Sequence, residues 1–218
     1  MALRLGVLVS GRGSNLAAVL DAVDRGVLAV EPVVVIANHA AAPALEVASA
    51  HGIRWQVFPT ADFADRDARD AAVGAALRAA GTDLAVLAGF DQVLRASYFK
   101  AFGGPTINIH PSLLPRHGGP GMLGEAVHAA VLAAGDHESG ATVHLVTPAV
   151  DAGRILAQTR VPVDPGDTSA TLAARVLAAE HRLLVETLVN LAQSGAWLDP
   201  SASMAAASRP GTEAPAPH

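Results

Sequence analysis

The chain has 218 residues, of which 51% are hydrophobic and only 4% aromatic, and its formal net charge is -5. That length suits one domain with a core of Ala, Val and Leu rather than an aromatic-rich β-sandwich. A complete lack of cysteine excludes disulfides, zinc-thiolate centres and thiol nucleophiles, and the negative charge argues against a broad nucleic-acid surface. No run of about 18 apolar residues occurs, so no membrane partner is expected. The start "MALRLGVLVSG" is too soon interrupted for a signal peptide. With no cysteine, the expected compartment is reducing and cytoplasmic. Lys100 is the only lysine and follows no glycine-rich loop, which excludes a Walker-type phosphate loop.

In chain order, Leu3–Val9 reads as a strand and Leu16–Arg25 as a helix. Pro32–Ala37 is a second strand, followed by a helix over about Pro43–His51 and a short strand at Arg54–Phe58. Arg66–Ala80 is helical, and Leu84–Ala88 and Thr106–Ile109 are strands. These are continuous apolar runs without alternation, the mark of strands buried on both faces of a parallel sheet. Gly121–Ala134 reads as a helix, Ser139–Thr147 and Arg154–Val163 as strands. A long amphipathic helix starts at a cap, Asp167 or Thr168, and runs to about Gln193. The predicted fold is α/β: a doubly wound, mostly parallel, Rossmann-like sheet with an antiparallel strand in its second half. The domain is expected to span residues 1–197, and the Pro, Ala and Ser-rich tail 198–218 to be disordered. Ligands of such sheets bind beyond the carboxyl ends of the strands.

Three stretches at predicted strand ends carry polar chemistry. The first strand runs into "SGRGSN", Ser10 to Asn15. Its glycines allow a tight turn, Ser14 or Asn15 can cap the next helix, and free N–H groups there form an anion site. An ordinary βα turn has the same appearance. Leu16 replaces the third glycine of a dinucleotide fingerprint, and Asn38 and His39 follow the second strand where an acid is needed, which disfavours an NAD enzyme. In "TINIHPSLLP", Asn108 and His110 are two residues apart and so share a face at a strand end, where Pro111 stops the ladder. An amide and an imidazole together suit a developing oxyanion, with His110 as general acid; a satisfied histidine beside a turn asparagine is the bland alternative. Asp151, in "VDAGRIL", is either a turn cap or a carboxylate that would raise the pKa of His110 and orient it. His117, His128, His137 and His144 show no metal-ligand spacing, so no metal is expected, and no G-x-S-x-G elbow occurs.

Taken in order, "VLVSGRGSNL", "LAGF", "NIHPSLLP", "SGATVHLV" and "VDAGRILAQ" resemble the folate-dependent formyltransferases, from about Leu5 to Glu180. The resemblance implies formyl transfer from 10-formyltetrahydrofolate, as co-substrate, to the amine of glycinamide ribonucleotide in purine synthesis. It implies a catalytic trio of Asn108, His110 and Asp151. It further implies ribonucleotide contacts from Gly13, Ser14, Asn15 and Glu180. Folate contacts are implied for Arg66, for Asp91, Gln92, Val93 and Leu94, and for Asn108. The partners implied are these two small molecules, with the enzyme a monomer or homodimer. Relatives that formylate methionyl-tRNA or a sugar nucleotide share the signature and are the alternatives. A binding module on a degenerate fold would have lost one of the trio, and all three are present. Two departures stand out: Asp91-Gln92 replaces the usual Met-Arg after "GF", and "RHGGPGMLGEAVH" replaces Pro-Gly-Leu-His after "SLLP".

Overall fold

The apolar runs become a seven-stranded sheet in a computed structural model that describes residues 2–194. The expected tail, 198–218, lies outside the described residues. The strands are β1 (Leu3–Val9), β2 (Val30–Ala37), β3 (Trp55–Val57), β4 (Leu84–Leu87), β5 (Thr106–His110), β6 (Glu138–Leu145) and β7 (Ile155–Pro162). Their spatial order is β3-β2-β1-β4-β5-β6-β7. β1 to β5 are parallel, β6 runs against both β5 and β7, and so β6 is the one reversed strand. The sequence order changes direction between β1 and β4, and doubly wound sheets bind ligands beyond the carboxyl ends of the strands at such a switch point.

The helices are α1 (Ser14–Asp24), α2 (Ala44–Ala50), α3 (Arg66–Ala79), α4 (Ala96–Phe102), α5 (Glu125–Ala133) and α6 (Ser169–Ser194). One face of the sheet carries α3 and α4, through a core containing Leu8, Ile36, Val73, Leu77, Tyr98 and Phe102. The other carries α1 and α6, through Leu5, Val7, Leu16, Val86, Ile107 and Leu184. On α6 the buried residues Leu172, Val176, Ala179, Leu183, Leu184 and Leu188 recur at helical spacing and form a single stripe. Glu180 lies in that stripe, a carboxylate among apolar neighbours.

Two elements differ from the sequence expectation. The helix expected from Gly121 begins at Glu125, because Gly121 and Gly124 hold φ of 84° and 53°, incompatible with an α-helix. The helix α4 was not expected at all. It has seven residues and is held by tertiary burial of Tyr98 and Phe102. The Tyr98 hydroxyl and the Thr106 hydroxyl meet at 2.9 Å, which ties α4 to the start of β5.

Leu184 is fully buried where α6 meets the sheet. Leu184→Ala is expected to cost about 2–5 kcal/mol of stability, read as a lower urea midpoint with an unchanged slope. A loss below about 1 kcal/mol would mean that the α6 stripe is not packed as described.

Candidate active site

The side chains singled out in the sequence meet at the carboxyl end of β5. Asn108 and His110 share one face of that strand, and His110 is 3% exposed. The turn after them is fastened to β6 and β7. The Thr142 hydroxyl donates to the Ser112 carbonyl at 2.6 Å and accepts from the Leu114 N–H at 3.1 Å. The Gln158 amide donates to the Leu114 carbonyl at 2.9 Å. "HPSLLP" is therefore a rigid corner, with Ser112 and Leu114 buried beneath it.

Asp151 reaches the same point from the loop between β6 and β7. Its backbone is left-handed, with φ of 52°, a conformation that aspartate tolerates better than most residues. Gly153 lets this loop fold back onto β6: a Cβ there would lie 1.7 Å from the Leu145 carbonyl oxygen. One Asp151 oxygen stands 3.8 Å from His110 Nδ1 and accepts from the Gly119 N–H at 2.8 Å. Its other oxygen stands 3.6 Å from His144 Nε2. The three residues chosen from sequence are thus together.

His144 completes the group and was not selected from sequence. It faces Asn108 across the antiparallel β5–β6 pair. Its Nδ1 lies 2.9 Å from the Leu145 carbonyl and its Nε2 lies 3.1 Å from the Asn108 amide nitrogen. If Nδ1 carries the proton, as the carbonyl requires, Nε2 accepts from Asn108 and fixes the amide's orientation. Burial pushes the His144 imidazole below its ordinary range, against the raising effects of the Leu145 hydrogen bond and the Asp151 charge, which keeps it neutral near pH 7. Its sequence signal was a lone ring in the otherwise apolar run "ATVHLV".

His110 Nε2 lies 3.0 Å from the carbonyl of His117 and donates to it. Its Nδ1 therefore remains as the nitrogen facing the space shared by Asn108 and Asp151.

The turn after β1 opens beside this cluster. The expectation that Ser14 or Asn15 caps α1 does not hold: Gly13, with φ of 77°, is the cap residue and no side chain bonds there. The first-turn N–H groups are consequently left uncapped, as an anion site needs. Asn15 is 7% exposed, and its amide oxygen has no hydrogen-bond partner among the described residues. Glu180 is buried on α6, which packs against α1, β5 and β6. Burial pushes its carboxyl up to about 8.

The segment Asp91–Leu94 follows β4. Asp91 Oδ1 accepts from Ser10 Oγ at 2.9 Å, from Asn38 Nδ2 at 2.8 Å and from Gln92 Nε2 at 3.0 Å. Arg66 donates to the Val93 carbonyl at 2.9 Å. Leu94 is buried, whereas Val93 is exposed. The segment is thus held at both ends, with an apolar side chain facing outward. Among the described residues no cluster of three or more His, Asp or Glu is placed to hold a metal. None of the helices there is long and apolar enough to cross a membrane.

A strand-end amide and imidazole stand beside a carboxylate on a doubly wound sheet, with an uncapped helix start also at a strand end. The sequence profile of the formyl transferases ("Formyl transferase") matches residues 3–188, so the chain belongs to that family. It is 36% identical to a phosphoribosylglycinamide formyltransferase of Haemophilus influenzae, over 83% of this chain and 82% of that one. It is 40% identical to the trifunctional purine biosynthetic protein adenosine-3 of Drosophila melanogaster, over 92% of this chain but only 15% of that protein's length. A crystal structure of phosphoribosylglycinamide formyltransferase from Brucella melitensis superposes with a TM-score of 0.81 at 42% identity, covering 89% of this chain and 97% of that one. Glycinamide ribonucleotide transformylase 1 from Symbiobacterium toebii gives 0.83 at 40% identity, covering 88% of each chain.

The buried Glu180 has a consequence for stability. In the native state it keeps its proton until about pH 8, whereas in the unfolded chain it ionises in the ordinary carboxylate range. The native state thus binds the extra proton between these limits, and stability falls as pH rises through them. Glu180→Gln removes that loss. Its melting temperature is expected to match the parent's near pH 4 and to exceed it by about 3 °C or more at pH 8. An offset that stays constant with pH would rule out the buried carboxyl as its cause.

Proposed function

We propose that the chain transfers the formyl group of 10-formyltetrahydrofolate to the primary amine of glycinamide ribonucleotide. The observation that carries this reading is the convergence of Asn108, His110 and Asp151 at one strand end. The relatives named above support the acceptor. The cysteine-free composition supports a cytoplasmic setting.

In the proposed reaction the amine nitrogen bonds to the formyl carbon, and the bond from that carbon to the folate nitrogen breaks with its electron pair. One amine proton ends on the folate nitrogen. Negative charge gathers on the formyl oxygen in between, and preorganised donors aimed at it lower the barrier. Asn108 offers the amide N–H that His144 leaves free. His110 offers Nδ1–H when protonated, since Nε2 is committed to the His117 carbonyl. Asp151 supplies the countercharge and receives the amine proton, directly or through water.

The ribonucleotide phosphate is assigned to Gly13, Ser14 and Asn15, on the uncapped start of α1, and its remaining polar groups to Glu180. The folate ring is assigned to Asp91–Leu94, with Arg66 holding that segment. Because the Asp91 carboxylate already serves three donors, the ring there meets mainly backbone groups and Val93.

The deciding assay compares glycinamide ribonucleotide with charged initiator tRNA as acceptor of formyl from 10-formyltetrahydrofolate. Transfer to the ribonucleotide alone is expected, and transfer to tRNA alone overturns the acceptor. His110→Ala is expected to lower kcat by about 100-fold or more while leaving the melting curve close to the parent's. Turnover near the parent's in that variant sinks the mechanism. Replacing Ser14 and Asn15 together by Ala is expected to raise KM for the ribonucleotide and not for the folate. A selective folate defect would mean that the two subsites are interchanged.

A further inference from the structure

The loop after "HPSLLP" touches both ionisable members of the trio. The His117 carbonyl accepts from His110 Nε2 at 3.0 Å. Two residues on, the Gly119 N–H donates to Asp151 at 2.8 Å. This short loop therefore sets both which nitrogen of His110 is free and where Asp151 stands.

His117 has φ of 52°, a left-handed conformation that histidine, like aspartate, enters more readily than most residues, and its surroundings hold it there. The surroundings here centre on one residue. Asp136, in the turn between α5 and β6, takes a hydrogen bond from His117 Nε2 on one oxygen at 2.7 Å. Its other oxygen is paired with the Arg116 guanidinium. The Ser112 hydroxyl adds a bond to the Arg116 carbonyl at 2.7 Å. The pairing is partly shielded, with the Asp136 side chain 10% exposed and that of His117 16%. The His117 hydrogen bond, helped by the Arg116 charge, holds the Asp136 carboxyl below its ordinary range.

We infer that Asp136 is a positioning residue: by latching Arg116 and His117 it aims the His117 carbonyl at His110 Nε2, and so leaves Nδ1 as the working nitrogen. Asp136 touches neither His110 nor Asp151 and acts only through the loop. The inference rests on the formyl-transfer reading for its kinetic part and is independent of it for its structural part.

The test uses the full chain with 15N-labelled histidine. In the parent, His110 is expected to carry its proton on Nε2 when neutral. In Asp136→Ala the released loop no longer holds that carbonyl in place. The His110 nitrogen signals are expected to move towards a mixture of tautomers, and kcat to fall about tenfold with both KM values within about twofold. Asp136→Asn keeps an oxygen for the His117 N–H and is expected to retain the parent His110 signals and a kcat within about threefold. Parent-like His110 signals in Asp136→Ala overturn the inference, whatever happens to kcat. So does an unchanged kcat with altered signals, since Nδ1 would then not need the latch. A parent enzyme that transfers no formyl group defeats the proposed function instead, and the nitrogen signals still decide the latch.

Discussion

Asn108 stands opposite His144 in the antiparallel ladder between β5 and β6, and the whole site depends on that register. The same ladder places His110 opposite Thr142, whose hydroxyl pins the corner that follows. β6 also leads into the loop that carries Asp151. A slip of one residue would turn Asn108 and His110 to the other face and move Asp151 away from both. The register is strongly specified because β6 is buried along nearly its whole length, and β5 has apolar residues on the alternate positions Ile107 and Ile109. The polar set is therefore aligned by the burial of its apolar neighbours.

The site is built from neutral and charged groups with separate tasks. His144 is kept neutral by burial and so can serve Asn108 as an acceptor. His110 has a carbonyl on one nitrogen and a carboxylate across a gap from the other. Such division of labour between two histidines arises from environment rather than from residue type. The opposite flank is built with backbone: an uncapped helix start, and a segment tethered by Arg66. Asp91 ties Ser10 at the end of β1 to Asn38 at the end of β2, joining loops that must hold their spacing.

Most of the architecture was legible in the sequence because continuous apolar runs have few stable uses other than a doubly covered parallel sheet. All seven strands and five of the six helices fall where the pattern puts them, within a few residues. The exception, α4, is stabilised by burial of Tyr98 and Phe102 and by the Tyr98–Thr106 hydroxyl contact. The start of α5 was set too early because Gly121 and Gly124, read as helical by pattern, adopt dihedrals that no pattern displays. The cap of α1 differs for a similar reason: Ser14 and Asn15 are the usual capping types, but the helix already includes them and the cap position falls on Gly13.

By itself the sequence determined the class of fold, the strand end where Asn108 and His110 share a face, and the family, since those depend on periodicity and short motifs. Only the tertiary structure decided which groups meet. Asp151 lies 41 residues from His110, and its approach depends on the β5–β6 register and on a glycine two positions further on. His144 became a partner of Asn108 only through a cross-strand pair. Arg116 and His117 are held by Asp136, which lies about 20 residues further along the chain. Contacts between residues far apart in the chain come from packing, and hydrophobic period carries no record of which polar groups that packing brings together.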